Sequence, residues 1–235
     1  MARKKIVFVI VEGPSDAEAL DTIIERLLDK DTVHVHIVHG DLTTENGVTS
    51  SNIINRVVDE VRSYTSSNPF TKNDFKEIIH IVDTDGAYIP DESVVEEPTA
   101  TRAIYSPVQI KTCNVANIVQ RNHQKASNLN KLSSCKEVWS IPYRVFYMSC
   151  NLDHALYGKL NCSNEEKGIN AHQFAKKYRS DLPGFLSFIS TSDFCVMDGY
   201  KESWNFIKED LHSLERHTNL GLFFQPDLPS KETPQ

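Results

Sequence analysis

No stretch of this 235-residue sequence stays apolar long enough to cross a bilayer, and its few cysteines form no C-x-x-C pair. The longest apolar run, residues 6–11, is stopped by Glu12, whereas a membrane-spanning helix needs about 20 apolar residues. The five cysteines lie at wide, irregular spacings, which predicts reduced thiols and argues against a structural zinc site. Because no small-residue cleavage site follows the first apolar run, we expect a cytoplasmic protein without a membrane partner.

The charge balance argues against a large basic surface for binding nucleic acid. The chain has 25 Lys and Arg residues against 32 Asp and Glu residues, which gives a formal net charge of −7. A nuclease is not excluded, because bound divalent cations cancel part of the negative charge where a phosphate must sit. Such an enzyme would need a basic partner or a local basic strip, for which the candidates are Arg121, Lys125, Lys131, Lys136, Arg144 and the basic residues of 176–179.

Strand-like and helix-like segments alternate along the first two thirds of the chain. Runs of β-branched and aromatic residues predict strands, and apolar residues at helical spacing predict the helices between them. Ser15 and Glu18 predict a capping box at the start of the first helix. The alternation predicts an α/β fold with a parallel four-stranded sheet, flanked by helices with right-handed crossovers. The predicted strands are residues 5–11, 33–38, 77–82 and 143–148.

The periodicity changes near residue 150, where we place a soft domain boundary. Residues 1–150 form the predicted catalytic domain, residues 151–225 a helical extension, and the proline-rich residues 226–235 a frayed tail. Residues 87–112 have little periodicity and predict an irregular insertion. An apolar stripe through the extension runs from Tyr200 over Trp204 to Leu214, and it suggests a homodimer.

Acidic residues follow two of the predicted buried strands. Glu12-Gly13 ends the first strand, and Asp83-Thr84-Asp85-Gly86 ends the third. Ligands of open parallel sheets bind beyond the carboxyl ends of the strands, so these carboxylates are expected to meet if the two strands are neighbours. Like charges about 4 Å apart repel by roughly 4 kcal/mol at an effective dielectric near 20, so a cation is expected between them. Hard oxygen ligands favour Mg²⁺ or Mn²⁺ over zinc.

The spacing of these residues adds two expectations. In an extended chain, Asp83 and Asp85 would project to the same side, since alternate residues share a face. Gly13 and Gly86 would let the backbone turn sharply and let a phosphate approach closely.

Residues 9–20 (VIVEGPSDAEAL) resemble the first motif of the toprim domain, and residues 80–86 (HIVDTDG) resemble the second. This domain is shared by topoisomerases, bacterial primases, recombination-mediator proteins and nucleases of the overcoming-lysogenization-defect (OLD) type. The likeness covers about residues 5–150 and implies a toprim, or Rossmann-like, sheet. Asp16 matches an extra acidic residue of the nuclease branch, so the E-G-x-x-D form is more similar to a nuclease than to a topoisomerase.

The resemblance implies a role for each matching residue. Glu12 would be a metal ligand and general base, Asp83 and Asp85 would be ligands, and Asp16 would support a second ion. Two such ions would hydrolyse phosphodiester bonds in DNA or RNA. A lysine near the scissile phosphate is also expected in this branch; Lys176 and Lys177 are the candidates, although a solvated helix face explains them as well.

The sequence has no G-x-x-x-x-G-K-[ST] loop, so the ATPase module of OLD-type nucleases is missing from it. The resemblance therefore implies a stand-alone effector with a separate ATPase partner, a combination that often serves antiviral (phage) defence. The alternative is a non-catalytic toprim module that binds a partner protein or nucleic acid. A receiver-like or Rossmann-like enzyme is a weaker alternative, because no G-x-G-x-x-G follows the first strand.

Two further groups of residues allow competing interpretations. Asp153 and His154 follow the fourth strand and would either complete the site or serve as a helix cap and a surface residue. His34, His36 and His39 resemble a metal cluster, but alternation along an edge strand explains them more simply.

Overall fold

A central β-sheet with helices on both faces forms the described part of the chain, residues 5–28, 32–37 and 41–225 of a computed structural model. Its strands are β1 (Ile6–Val11), β2 (Thr32–Ile37), β3 (Phe75–Asp83), β4 (Val94–Glu96), β5 (Ile104–Tyr105), β6 (Ile110–Thr112), β7 (Glu137–Val138) and β8 (Ile141–Met148). Its helices are α1 (Pro14–Leu27), α2 (Ile53–Ser66), α3 (Val115–Ser134), α4 (Leu152–Tyr157), α5 (Asn164–Tyr178), α6 (Leu182–Thr191) and α7 (Tyr200–Phe206). The predicted α/β class is confirmed.

The main sheet has the strand order β2-β1-β3-β8-β7. The first four strands pair in parallel, whereas β7 is antiparallel to β8. The prediction of a purely parallel four-stranded sheet therefore holds only in part, and the sheet is mixed. The added strand comes from a tight hairpin in which Trp139 and Ser140 adopt φ values of 53° and 60°. Such hairpin turns usually carry Asn or Gly, so this hairpin could not be predicted from its Trp-Ser turn.

Helices cover both faces of the sheet and enclose an apolar core on each. On one face α2, α3 and α7 pack against the strands, and on the other face α1, α4, α5 and α6 do so. All six residues of β1 are buried, as expected for a central parallel strand. Burial of each such Val or Ile side chain contributes roughly 1.5–3 kcal/mol.

Helix α1 begins two residues earlier than the predicted capping box of Ser15 and Glu18 requires. Pro14 is its first residue, and the Oδ2 atom of Asp16 accepts a hydrogen bond of 3.0 Å from the Gly13 backbone N–H. Proline is favoured at the first helical position, because its φ is already helical and its missing N–H would be unsatisfied there. The predicted box of Ser15 and Glu18 is wrong, and Asp16 takes the capping role.

The segment of residues 87–112, predicted to be irregular, contains a small sheet of order β4-β6-β5. Its strands are two or three residues long, which is too short for sequence periodicity to reveal. A third apolar cluster attaches this insertion to the rest of the molecule, and it consists of Ile89, Val94, Ile110, Ile118, Cys150 and Leu214.

The predicted helical extension contains α4 to α7, although α7 ends at Phe206 and the apolar stripe continues to Leu214 through turns. The extension packs on the main sheet, and the Tyr147 backbone N–H donates to Asn219 Oδ1 at 2.8 Å. The domain boundary near residue 150 stays a prediction. Outside the described residues lie the predicted tail, residues 226–235, and also Val38 and His39. Across the described ranges, no helix has both the length and the apolar character to span a membrane.

Candidate functional site

The ends of β1 and β3 lie side by side, as the sequence predicts. The two strands pair in parallel with Ile10 opposite His80. The Oε1 atom of Glu12, one residue beyond β1, accepts a hydrogen bond of 3.2 Å from the Asp83 backbone N–H. The acidic residues of two separate motifs thus meet at one edge of the sheet.

A sharp turn follows β3 and separates the two aspartates. Asp83 is the last strand residue, and its Oδ1 atom accepts a hydrogen bond of 3.0 Å from the Leu152 N–H. Asp85 has a φ of 48°, a left-handed conformation that Asp tolerates better than most residues, and its N–H donates to Cys150 at 2.7 Å. The condition for both aspartates to share a face, an extended chain as far as Asp85, is not met, because the strand ends at Asp83.

The two glycines of the motifs have different backbone requirements. Gly86 has a φ of 71°, and a Cβ there would come within 2.8 Å of Leu214 and 3.0 Å of Ile110. The position therefore requires glycine for packing against the C-terminal segment. Gly13 has an extended φ of −149°, and a Cβ there would make only an ordinary contact with Asp16. The structure thus gives a left-handed φ and close packing as the reasons for Gly86, and no conformational reason for Gly13.

Lys125 of α3 adds a buried cation to the acidic residues. Its Nζ atom lies 2.6 Å from Asp41 Oδ2 and 2.5 Å from Asp85 Oδ2, and its side chain is fully buried. Asp41, in the loop after β2, also accepts hydrogen bonds from the N–H and hydroxyl of Thr43. We refer to Glu12, Asp41, Asp83, Asp85 and Lys125 as the carboxylate cluster.

Sequence reasoning missed Asp41 and treated Lys125 only as part of a basic strip. One signal was available for the lysine. Lys125 lies at helical spacing between the buried Ile118 and the buried Leu129 and Leu132, so it falls on the apolar face of its helix. A lysine on such a face requires a buried acidic partner. Asp41 lies in a loop with no comparable pattern.

The electrostatics of the carboxylate cluster are dominated by burial and by excess negative charge. Burial raises the pKa of Glu12 and of Asp83 well above the usual range, and neighbouring carboxylates raise both further. Burial would also raise the pKa of Asp41, but the Lys125 ammonium and the Thr43 hydrogen bonds lower it to about 2. The same carboxylates raise the pKa of Lys125, despite its burial. One ammonium thus compensates only part of the acidic charge.

A second acidic group adjoins the carboxylate cluster near the start of α5. Burial raises the pKa of Asp16 to about 6, Lys167 opposes this shift and Asp153 adds to it. The Lys167 Nζ atom lies 4.0 Å from Asp153 Oδ2. Burial also raises the pKa of Asp153, which is 4% exposed and accepts a hydrogen bond from Asn170 at 3.4 Å. Asp153 therefore lies near Asp16.

The side chain of His154 binds the backbone of the preceding turn. Its Nδ1 atom accepts a hydrogen bond of 3.3 Å from the Cys150 N–H, and burial lowers its pKa to about 4. It is buried rather than on the surface, and the cap of α4 is Asn151 rather than Asp153. The interpretation of this pair as a helix cap and a surface residue is wrong.

The predicted lysines Lys176 and Lys177 are not brought to the carboxylate cluster. Both are exposed near the end of α5, about 13–15 Å along the helix axis from Lys167. The Nζ atom of Lys177 lies 4.5 Å from the centre of the Tyr178 ring. In the described ranges, the lysines that form ion pairs with these acidic residues are Lys125 and Lys167.

The described histidines of β2 both stack on Phe8, with ring centres 5.4 and 5.2 Å away, and each has a further partner. His34 stacks on Tyr64 with ring centres 4.1 Å apart, and His36 Nε2 lies 2.9 Å from Glu60 Oε2. These contacts agree with alternation along an edge strand. His39 lies outside the described residues.

Glu12 and Asp83 fit a hard divalent ion in the chemistry of their donor atoms, since both are partly buried carboxylates with incompletely compensated charge. Asp85 is an oxygen donor too, but Lys125 binds it. In the part of the chain that the structure describes, no group of three or more His, Cys, Asp or Glu residues is arranged to hold a metal ion. Binding would therefore require side-chain movement, with Asp85 leaving Lys125.

Comparison with protein-family models, curated proteins and solved structures finds no match for this chain. The resemblance to the toprim domain therefore rests on the two sequence motifs. The arguments for a function rest on those motifs and on the contacts described above.

Proposed function

We propose that this chain is a toprim-type nuclease that uses Mg²⁺ or Mn²⁺ to hydrolyse phosphodiester bonds in DNA or RNA. The observation that carries the proposal is the meeting of Glu12 and Asp83 at the carboxyl ends of adjacent parallel strands. Burial and mutual repulsion make the ionised forms of both carboxylates unfavourable without a cation. A metal site is the simplest reason for a fold to gather them.

In this proposal Glu12, Asp83 and Asp85 hold the ion, and Asp16 supports a second one. Bound divalent ions activate a water molecule and stabilise the leaving oxygen. The carboxylate of Glu12 is also the general base in this proposal, the role that its toprim-like motif implies. Asp153 orients Lys167 towards Asp16.

Two further residues of α3 position the turn that carries Asp85. Arg121 donates from Nη2 to the Asp85 carbonyl oxygen at 2.8 Å, and Lys125 binds the carboxylate of the same residue. Lys125 neutralises Asp85 while no divalent ion is bound. We assign the role of the expected lysine to Lys125 in preference to Lys176 or Lys177, since it contacts the carboxylates.

The test is incubation of the purified protein with plasmid, single-stranded DNA and tRNA, with Mg²⁺ or Mn²⁺. Glu12→Gln should abolish cleavage, whereas Glu25→Gln, an exposed change on α1, should leave it intact. Equal cleavage by the native protein and Glu12→Gln would identify a contaminant and overturn the proposal.

A second candidate function is a non-catalytic module that binds a partner protein or nucleic acid. It is favoured by the engagement of Asp41 and Asp85 with Lys125, which leaves the described residues without a preformed metal site. Absence of cleavage, together with a metal-independent complex that Glu12→Gln leaves unchanged, would favour this candidate. A separate ATPase partner, a homodimer, antiviral defence and a cytoplasmic location remain proposals drawn from the sequence.

A further inference from the structure

A large recess opens at the edge of the sheet opposite to the carboxylate cluster. Its volume is about 1160 Å³, and its walls come from the first residues of β3 and β8, the end of α3, and α7. Glu77 in the recess and Asp83 in the cluster lie six residues apart on β3, so the two places are separated by about 20 Å. The recess is thus distinct from the proposed catalytic site.

The lining of the recess is basic in a chain that is acidic as a whole. Among the described residues of the lining, Glu77 is the only carboxylate, and it is already paired with Arg144 at 2.8 Å. The chain has a net charge of −7, so this local excess of positive charge marks a place where a polyanion could bind. The cationic side chains of the lining are Lys76, Lys136, Arg144, Lys201 and Lys208.

Aromatic rings form part of the recess and are held in place by polar contacts. Tyr143 and Trp204 are buried, and Tyr200 is half-buried. The Tyr143 hydroxyl lies 2.8 Å from His80 Nδ1, and the Trp204 indole N–H donates to the Val145 carbonyl at 3.3 Å. Tyr143 and Trp204 are only 2% and 3% exposed, so the half-buried Tyr200 is the ring of this lining on which a base could stack. A ring beside basic side chains is a combination that proteins use to bind single strands.

The spacing of the cations favours several phosphates over one. Lys201, Trp204 and Lys208 follow one another at three- and four-residue intervals on one side of α7 and the turn after it. The other three cations come from β3, β8 and the segment after α3. A single phosphate is usually held by converging backbone N–H groups at a helix start, whereas separated lysines match a backbone of repeating charges.

We infer that the recess binds a single-stranded segment of nucleic acid, as a second contact for the polymer cleaved at the carboxylate cluster. The identity of the polymer as substrate rests on the proposed function, but the binding itself does not. Binding in the recess explains how an acidic protein would hold a polyanion, because the recess supplies positive charge about 20 Å from the acidic residues.

The test is the fluorescence anisotropy of a labelled oligothymidylate, on the order of 20 nucleotides long, measured in EDTA so that no metal or cleavage is involved. Lys201→Gln/Lys208→Gln should weaken binding roughly tenfold and should lower the slope of log affinity against log salt by about 1.4. The control, Arg26→Gln/Arg102→Gln, removes the same charge from exposed positions outside the recess. It should change affinity by less than about threefold.

Similar affinities for the two double variants would overturn the inference, as would displacement of the oligomer by an equal concentration of a mononucleotide. The same assay separates this inference from the proposed function. If the recess binds the oligomer but no cleavage occurs in Mg²⁺ or Mn²⁺, only the nuclease proposal is overturned. If Glu12→Gln abolishes cleavage but the lysine substitutions leave binding unchanged, only the inference about the recess is overturned.

Discussion

The Lys125 ammonium lies 2.5 Å from the carboxylate of Asp85, a residue that its sequence motif marks as a metal ligand. The two residues come from different elements, α3 and the turn after β3. A buried positive charge thus competes for a carboxylate that a divalent ion would also bind. The stability of the chain and its affinity for metal should therefore both depend on this pair.

Loss of Lys125 should destabilise the fold. Lys125→Met removes a fully buried ammonium and leaves Asp41 and Asp85 without their cation, so the free energy of unfolding should fall by about 3 kcal/mol. Urea unfolding in EDTA measures the change. Lys131→Met, an exposed change on the same helix, should shift stability by less than about 0.5 kcal/mol. Equal effects of the two substitutions would show that the buried ion pairs contribute nothing particular.

Divalent ions should stabilise the native protein. Binding to the folded state alone adds about 2.7 kcal/mol when the free ion is at roughly 100 times its dissociation constant. The melting temperature should therefore rise with Mn²⁺ concentration. Glu12→Gln/Asp83→Asn should remove that rise, because it removes the two carboxylates with the strongest need for a cation. A rise that persists in the double variant would place the ion elsewhere.

The pH dependence of stability should change at Asp16. The folded pKa of Asp16, about 6, lies above the usual value. Its contribution to the free energy of unfolding is therefore present in full below about pH 4 and is lost as pH rises through 6. Asp16→Asn keeps an oxygen to cap Gly13 but does not titrate. Relative to the native protein, the variant should gain up to roughly 2–3 kcal/mol between pH 4 and pH 7. Urea unfolding in EDTA at several pH values tests this, with Glu25→Gln as the control.

Gly86→Ala should be costly, whereas Gly168→Ala should not. At Gly86 an added methyl group meets Leu214 and Ile110 and requires a left-handed conformation, so a loss of roughly 2–4 kcal/mol is expected. At Gly168, within α5, an added Cβ meets nothing within 4 Å. Alanine there should add about 0.5–1 kcal/mol through helix propensity. Thermal unfolding of both variants gives the comparison, and equal behaviour would contradict the packing argument.

Buried strands and the residues that end them were the parts of the structure that the sequence could predict. Six consecutive buried residues in β1, and a similar run in β3, leave few alternatives to a central parallel pair. Once these strands are neighbours, the positions of Glu12 and Asp83 follow from the polarity of the sheet. Local patterns and one topological rule were sufficient for this half of the site.

The remaining half depends on contacts between distant segments. Asp41 and Lys125 are 84 residues apart, and nothing local in either segment points to the other. The short strands β4 to β7 were missed because two or three residues show no period. The left-handed turn at Asp85 was missed because tertiary contacts with Arg121 and Cys150, rather than a turn motif, hold it in place.

The turn after β3 depends on a residue far along the chain. The Thr84 hydroxyl and the Gly86 N–H donate to the Ser213 carbonyl at 2.8 and 3.1 Å, and the Tyr88 N–H donates to the Ser213 hydroxyl at 3.2 Å. During synthesis on the ribosome, the acidic motif is complete more than a hundred residues before this acceptor exists. A nascent or prematurely terminated chain therefore carries the motif without the closed turn. The turn that carries the acidic motif therefore cannot close until residue 213 has been synthesised.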